Sequence, residues 1–412
     1  MNSTFYEFIK INLLKINPMP NKPQFNYFLS NIKNQVKKNS KIWKSSIPVN
    51  RKQPKETSGI LFCYGDYFTA ARSFLSANDC KTVITAVSQF TNQSIKLSDI
   101  KDVNIFQEKH GEFYHPARIE TIVGEKKISF VLNVAISETG RRCIKKECEL
   151  LQRLSSKFQN SYIPDVYGKY EICLDNNLNV SMFLGQWFEG YNEFHLSHDQ
   201  VDSSKKILVW DPDCGGFFLS KNQTRKLYRQ AAMILTLYYD IEAFNQIFPW
   251  HHAAGDFVIK IEKDEIDLKL ITVRQYAPIF DTDDITERKD RDLKLIIEGM
   301  LVFFLNLSIR MRLDRLDGVG DVAWSDDCAV EEILKGFYQA LTLKPQVPLI
   351  PAPQADFFRD YLSALPESQL YDLSLSIANA YNPAAPEVTA IKDHLKPHVA
   401  SLYHSIKEHP LC

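Results

Sequence analysis

The turn His251-His252-Ala253-Ala254-Gly255-Asp256 places an imidazole and a carboxylate between an amphipathic helix and an apolar strand. An aspartate that follows glycine on a tight turn can accept a proton from a hydroxyl. Its other common use is to bond the backbone of its own turn. Asp256 and His252 are therefore the candidate catalytic pair. The strand that follows, running from Asp267 to Arg274, brings further polar groups close by in sequence. The cluster Asp281-Thr282-Asp283-Asp284 suits the first turn of a helix, where carboxylates meet the positive end of the helix dipole. Other chemistries lack their residues: there is no Gly-x-Ser-x-Gly, no His-Glu-x-x-His and no complete P-loop. The eight cysteines include no Cys-x-x-Cys pair, and Cys143 and Cys148 have no histidine spaced to complete a zinc site. They read as reduced thiols used in packing.

The order of helix, His-x-x-Gly-Asp turn, strand, polar turn and strand resembles the catalytic region of protein-kinase-like and aminoglycoside-phosphotransferase-like enzymes. The resemblance covers roughly residues 106–345 and rests on arrangement. It implies a bilobal α+β fold, with a small sheet-plus-helix lobe, a larger helical lobe and a nucleotide-sized cleft between them. It implies ATP and Mg²⁺ as cofactors and transfer of phosphate to a hydroxyl of a small molecule or a protein. Asp256 then takes the place of the catalytic-loop aspartate and of a metal ligand. Asn133, on the strand Phe130–Ala135, stands where the phosphate-binding lysine belongs, with Glu147 as its helix partner. Gly111 is the single glycine of the phosphate-covering loop. Leu184 and Gln186 lie on the stretch whose backbone would meet an adenine edge. Thr272 falls where a metal-binding aspartate is expected, and Ile261 where a metal-binding asparagine is expected. Asn133, Ile261 and Thr272 carry no charge, so a second reading follows: a catalytically inactive pseudokinase that serves as an interaction or regulatory module.

The elements that would position these residues show in the periodicity. Residues 112–123 and 128–135 read as a hairpin joined by the glycine-containing turn 124–127. A helix is expected over 141–158, and a second hairpin over 163–185. Ser220 and Gln223 form a capping-box pair ahead of Leu227, Ala231, Ile234, Leu235, Tyr238 and Ile241 at helical spacing. Long helices are expected near 285–313, 329–343, 354–364 and 384–407, with a proline-stiffened connector at 345–353.

Residues 1–57 carry eleven Lys and Arg against two Glu, a net of +9 in a chain whose whole charge is −1. Such an arm reads as a weakly ordered basic extension, available to an anionic partner. The rest divides into an N-terminal extension (58–105), the small lobe (106–185), the large lobe (186–345) and a C-terminal helical extension (346–412). The near-neutral charge makes no case for specific nucleic-acid binding. No apolar run approaches the roughly 20 residues a membrane-spanning helix needs. Residues 1–20 contain no signal-peptide pattern, and the expected location is cytoplasmic.

Overall fold

The computed structural model describes residues 22–30, 35–48, 62–111, 113–212, 215–250, 255–279, 293–318 and 320–408. The chain is mixed α and β and divides into two units. The first comprises residues 1–148 and 165–187, the second residues 149–164 and 188–412.

The first unit is built on a six-stranded sheet: β1 (Gln24–Leu29), β2 (Ile100–Gln107), β3 (Ala117–Val123), β4 (Lys126–Ala135), β5 (Val166–Cys173) and β6 (Asn179–Gln186). The strands lie in the order β1-β2-β3-β4-β6-β5. All pairs are antiparallel except β1 with β2. The short helix α1 (Lys41–Lys44) and the long α2 (Tyr64–Thr91) precede β2, and α3 (Glu138–Lys157) connects β4 to β5. This is the expected order of hairpin, helix and hairpin. Gly124, at φ +61°, makes the first hairpin turn with Glu125, so Lys126 and Lys127 belong to β4 rather than to the turn.

Alternation along β4 puts Ile128, Phe130, Leu132 and Val134 on one face, and there they join Tyr67, Phe68, Ala71 and Phe74 of α2 in a single core. The alternate positions, Val131 and Asn133, therefore point to the other face. α2 begins with a reciprocal cap: the Asp66 amide donates to the Cys63 sulfur, and the Cys63 amide donates to the Asp66 carboxylate. Asn78, Asp79 and Cys80, at φ +50°, +54° and +62°, interrupt it with a left-handed turn.

Part of the basic arm departs from its expected weak order. Gln24–Leu29 adds to the sheet edge, pairing residue for residue with Asp102–Gln107. Tyr27, Leu29, Val36 and Ile47 are buried, so apolar side chains at intervals among the lysines anchor the segment. Residues 100–107, placed mostly in the extension by sequence, are the strand that receives it.

The second unit takes in the C-terminal part of α3 and then an antiparallel sheet of β7 (Glu193–His198), β8 (Lys205–Asp211) and β9 (Gly215–Phe218). This sheet departs from the mainly helical lobe expected after residue 186. Ile207 and Val209 bury one face of it. Next come α4 (Lys221–Tyr238), capped by Ser220 and Gln223 as expected, and β10 (Asn245–Ile247). The hairpin β11 (Phe257–Glu262) and β12 (Glu265–Leu270) follows, then β13 (Tyr276–Pro278). The remainder is α5 (Leu293–Arg310), the pair β14 (Leu313–Arg315) and β15 (Val322–Trp324), and α6 (Cys328–Leu343), α7 (Gln354–Ala364), α8 (Glu367–Ala380) and α9 (Pro386–Glu408). α8 is an additional helix that the sequence reading missed.

Gly336 of α6 lets that helix meet α4 closely: a Cβ there would lie 2.1 Å from the Arg229 carbonyl oxygen. Phe304, Phe337 and Phe358 of α5, α6 and α7 form a ring cluster with centroids 4.8–6.2 Å apart. Residues 346–408 thus belong to the core of this unit rather than to an appended extension. Among the described residues no helix is long and apolar enough to cross a membrane.

Candidate functional site

Five candidate residues lie in the first unit. Asn133 is half-buried on β4 and sits directly across from Phe183 of β6. Phe183 in turn lines a surface depression with Ile144 and Cys148 of α3. The asparagine thus shares its face of the sheet with the residue that meets α3.

Glu147 of α3 is buried, at 4% exposure, and its carboxylate accepts a hydrogen bond from the Tyr114 hydroxyl. Tyr114 comes from the connection between β2 and β3, the place where the resemblance puts a phosphate-covering loop. That connection folds back on itself and onto α3. The Gly111 amide donates to the Tyr114 carbonyl at 3.1 Å, and the His115 amide donates to the Val134 carbonyl at 2.8 Å. Gly111 is needed because a Cβ would lie 2.6 Å from that Tyr114 oxygen. Gly140, in the first turn of α3, is needed for a similar reason: its Cβ would lie 2.1 Å from the Phe113 carbonyl oxygen. Nearby Lys145 and Lys146 are exposed, and Arg141 donates to the backbone carbonyls of Ile136 and Asn179. Arg118 lies against Glu108 and over the Phe106 ring.

Leu184 points into the core beside α2. The Gln186 amide donates to the Asp165 carbonyl at 2.8 Å, and its side-chain oxygen accepts from the Asp165 amide. The Gln186 backbone donor is thus bonded within the protein.

Asp256 and Thr272 lie in the second unit. Gly255, at φ +87°, turns the chain into β11, and Asp256 stands immediately before that strand. The Asp256 carbonyl accepts from the Ile271 amide at 2.8 Å, which ties the turn to the end of β12. Its side chain is fully buried, and the Arg274 guanidinium approaches it two-pronged. Nη1 donates to Oδ2 at 2.7 Å, and Nη2 lies 2.6 Å from Oδ1. Thr272 is half-buried in the same connection, two positions before Arg274. Ile261 sits within β11 opposite Ile266. Asp267 accepts from the Tyr191 hydroxyl at 2.5 Å and lies 3.3 Å from the Lys269 ammonium. His252, Asp281, Asp283 and Asp284 fall outside the described residues.

Magnesium binds through hard oxygens, usually one or two carboxylates. Asp256 already faces a cation with both of its oxygens. Among the described residues no group of three or more His, Cys, Asp or Glu is placed to hold a metal ion. The described residues in the expected positions do not fit a metal site.

Tyr114 and Arg274 carry the geometry, and the sequence reading assigned neither a role. Their partners stand 33 and 18 positions away in the chain. No local pattern marks either pairing. The one available hint was negative: a helix glutamate with an uncharged residue in place of its lysine needs another donor. No family model matches this chain, and no curated protein matches it in sequence.

Proposed function

We propose that this chain is a divergent kinase-like protein whose phosphotransfer positions are held by internal partners, and that it acts as a non-catalytic interaction or regulatory module. The observation that carries this reading is Asp256, fully buried and bound two-pronged by Arg274. A general base must reach the proton it removes, with a lone pair free to take it. A carboxylate with no exposed surface fails the first requirement. Glu147 supports the same reading: a neutral tyrosine from the chain itself donates to it, at the place where the resemblance expects a lysine that also meets phosphate. The kinase-like part of the proposal rests on strand order. β2 to β6, with α3 between β4 and β5, follow the hairpin, helix, hairpin sequence that the resemblance implies.

The rival reading, ATP-dependent transfer of phosphate to a hydroxyl, has one feature in its favour: Asp256 keeps its position after the glycine turn. Thermal denaturation with rising ATP, with and without Mg²⁺ or Mn²⁺, separates the two. A ligand at 100 times its dissociation constant adds about 2.7 kcal/mol to stability, a readily measured rise in Tm. The proposed module shows no rise. A saturating, nucleotide-dependent rise rejects it, and one that requires metal favours the phosphotransferase.

A further inference from the structure

The connection between β2 and β3 that presents Tyr114 to Glu147 also holds two imidazoles in contact. His110 Nδ1 lies 3.1 Å from His115 Nδ1. The pair is enclosed from several elements. From α2, the Tyr64 hydroxyl lies 3.2 Å from His110 Nε2, and the Tyr67 hydroxyl donates to the His115 carbonyl at 3.0 Å. From β2, the Gln107 amide nitrogen lies 3.5 Å from His110 Nδ1 and donates to the Lys109 carbonyl. The nearby Glu108 carboxylate is taken up by Arg118 and by the Ser30 hydroxyl. On the α3 side stands Glu147, engaged by Tyr114.

Two nitrogens at this separation share one hydrogen: one ring donates from Nδ1 and the other accepts. A second proton places N–H groups on both, and the contact becomes repulsive. We propose that the His110–His115 pair is a proton-sensitive latch, which holds Tyr114 on Glu147 while it shares one proton and releases Tyr114 when it gains a second. The inference rests on the proposed function only in what Glu147 would then be exposed to do. Burial holds the His110 pKa below its usual value, so protonation favours the open arrangement. The sign follows. The closed form is favoured in full above the ordinary histidine range and loses ground as pH falls through it.

Hydrogen exchange of the full-length protein reads this directly at the Gly111 and His115 amides, both of which are bonded in the closed arrangement. After correction for intrinsic exchange, their protection should fall by up to about tenfold per pH unit as pH drops below the ordinary histidine value of about 6.5. His110→Gln removes one of the two rings in contact and should weaken the pH dependence of protection. Gly140→Ala, which drives a Cβ against the Phe113 carbonyl, should lower protection at every pH. Constant protection in the unmodified protein between about pH 7.5 and 5.5 overturns the latch. So does an equal pH slope in His110→Gln. Should that variant not fold, imidazole nitrogen resonances of the unmodified protein decide. Double protonation that coincides with loss of protection supports the latch, and double protonation with the amides still protected overturns it. Exchange is read without nucleotide, so its outcome is separate from that of the ATP titration.

Discussion

Arg274 reaches back 18 positions to close on both oxygens of Asp256, within 2.7 Å, at a site where the aspartate has no exposed surface. The pair joins the turn before β11 to the connection after β12. It therefore ties those two segments together.

Breaking this pair from the arginine side should be costly. Arg274→Met leaves a carboxylate buried beside an apolar chain and should cost about 3 kcal/mol in urea denaturation. The double variant Asp256→Asn with Arg274→Met should recover part of that loss, because the uncompensated charge is gone. Equal stability of the single variant and the parent protein would show that the pair contributes nothing.

Tyr114→Phe removes the hydroxyl donated to Glu147 and little else. Because the carboxylate is 4% exposed, the loss should be about 1–2 kcal/mol. The Glu147→Gln variant, which carries no charge to compensate, should lose less on the same tyrosine change. A double-mutant cycle measures the difference.

Asn133→Lys tests the empty lysine position. The ammonium would enter a half-buried site across from Phe183, so the proposed module should become less stable and remain indifferent to ATP. A gain in ATP-dependent Tm would instead show that one restored charge is enough to bind phosphate.

His398 should make the second unit sensitive to acid. It is fully buried, with Arg312 Nη1 3.3 Å from its Nδ1 and the Ser308 hydroxyl 3.2 Å from its Nε2. Burial first, and the arginine second, push its pKa down to about 3. The unfolded chain takes up this proton near the ordinary value of about 6.5, the native state only far below it. Stability is thus full above that value and declines as pH falls towards 3, by at most about 1.4 kcal/mol per pH unit. His398→Gln should flatten the slope between pH 6 and 4 in urea denaturation, whatever it does to absolute stability.

Gly336→Ala should weaken the contact of α4 with α6. The new methyl meets backbone, the Arg229 carbonyl at 2.1 Å, so one helix must move. A loss of about 1–3 kcal/mol is expected, with no change in helix content by far-ultraviolet circular dichroism.

What the sequence determined by itself is local. Ser220 and Gln223 cap α4 because both groups lie within one turn. Gly124 makes the β3–β4 turn because its φ is positive. Alternation chose the buried face of β4 and, with it, the face on which Asn133 lies. These depend on neighbours a few residues apart, and periodicity records them. The tertiary structure decided the partners. Gln24–Leu29 became a strand only because β2, some 78 positions later, offered a free edge for its backbone groups. The β7–β9 sheet became stable once Ile207 and Val209 found cover. Asp256 and Glu147 could be marked as carboxylates worth attention from their spacing alone. Whether they face solvent or Arg274 and Tyr114 depends on folding that brings distant side chains within hydrogen-bond reach, and no local pattern encodes that distance.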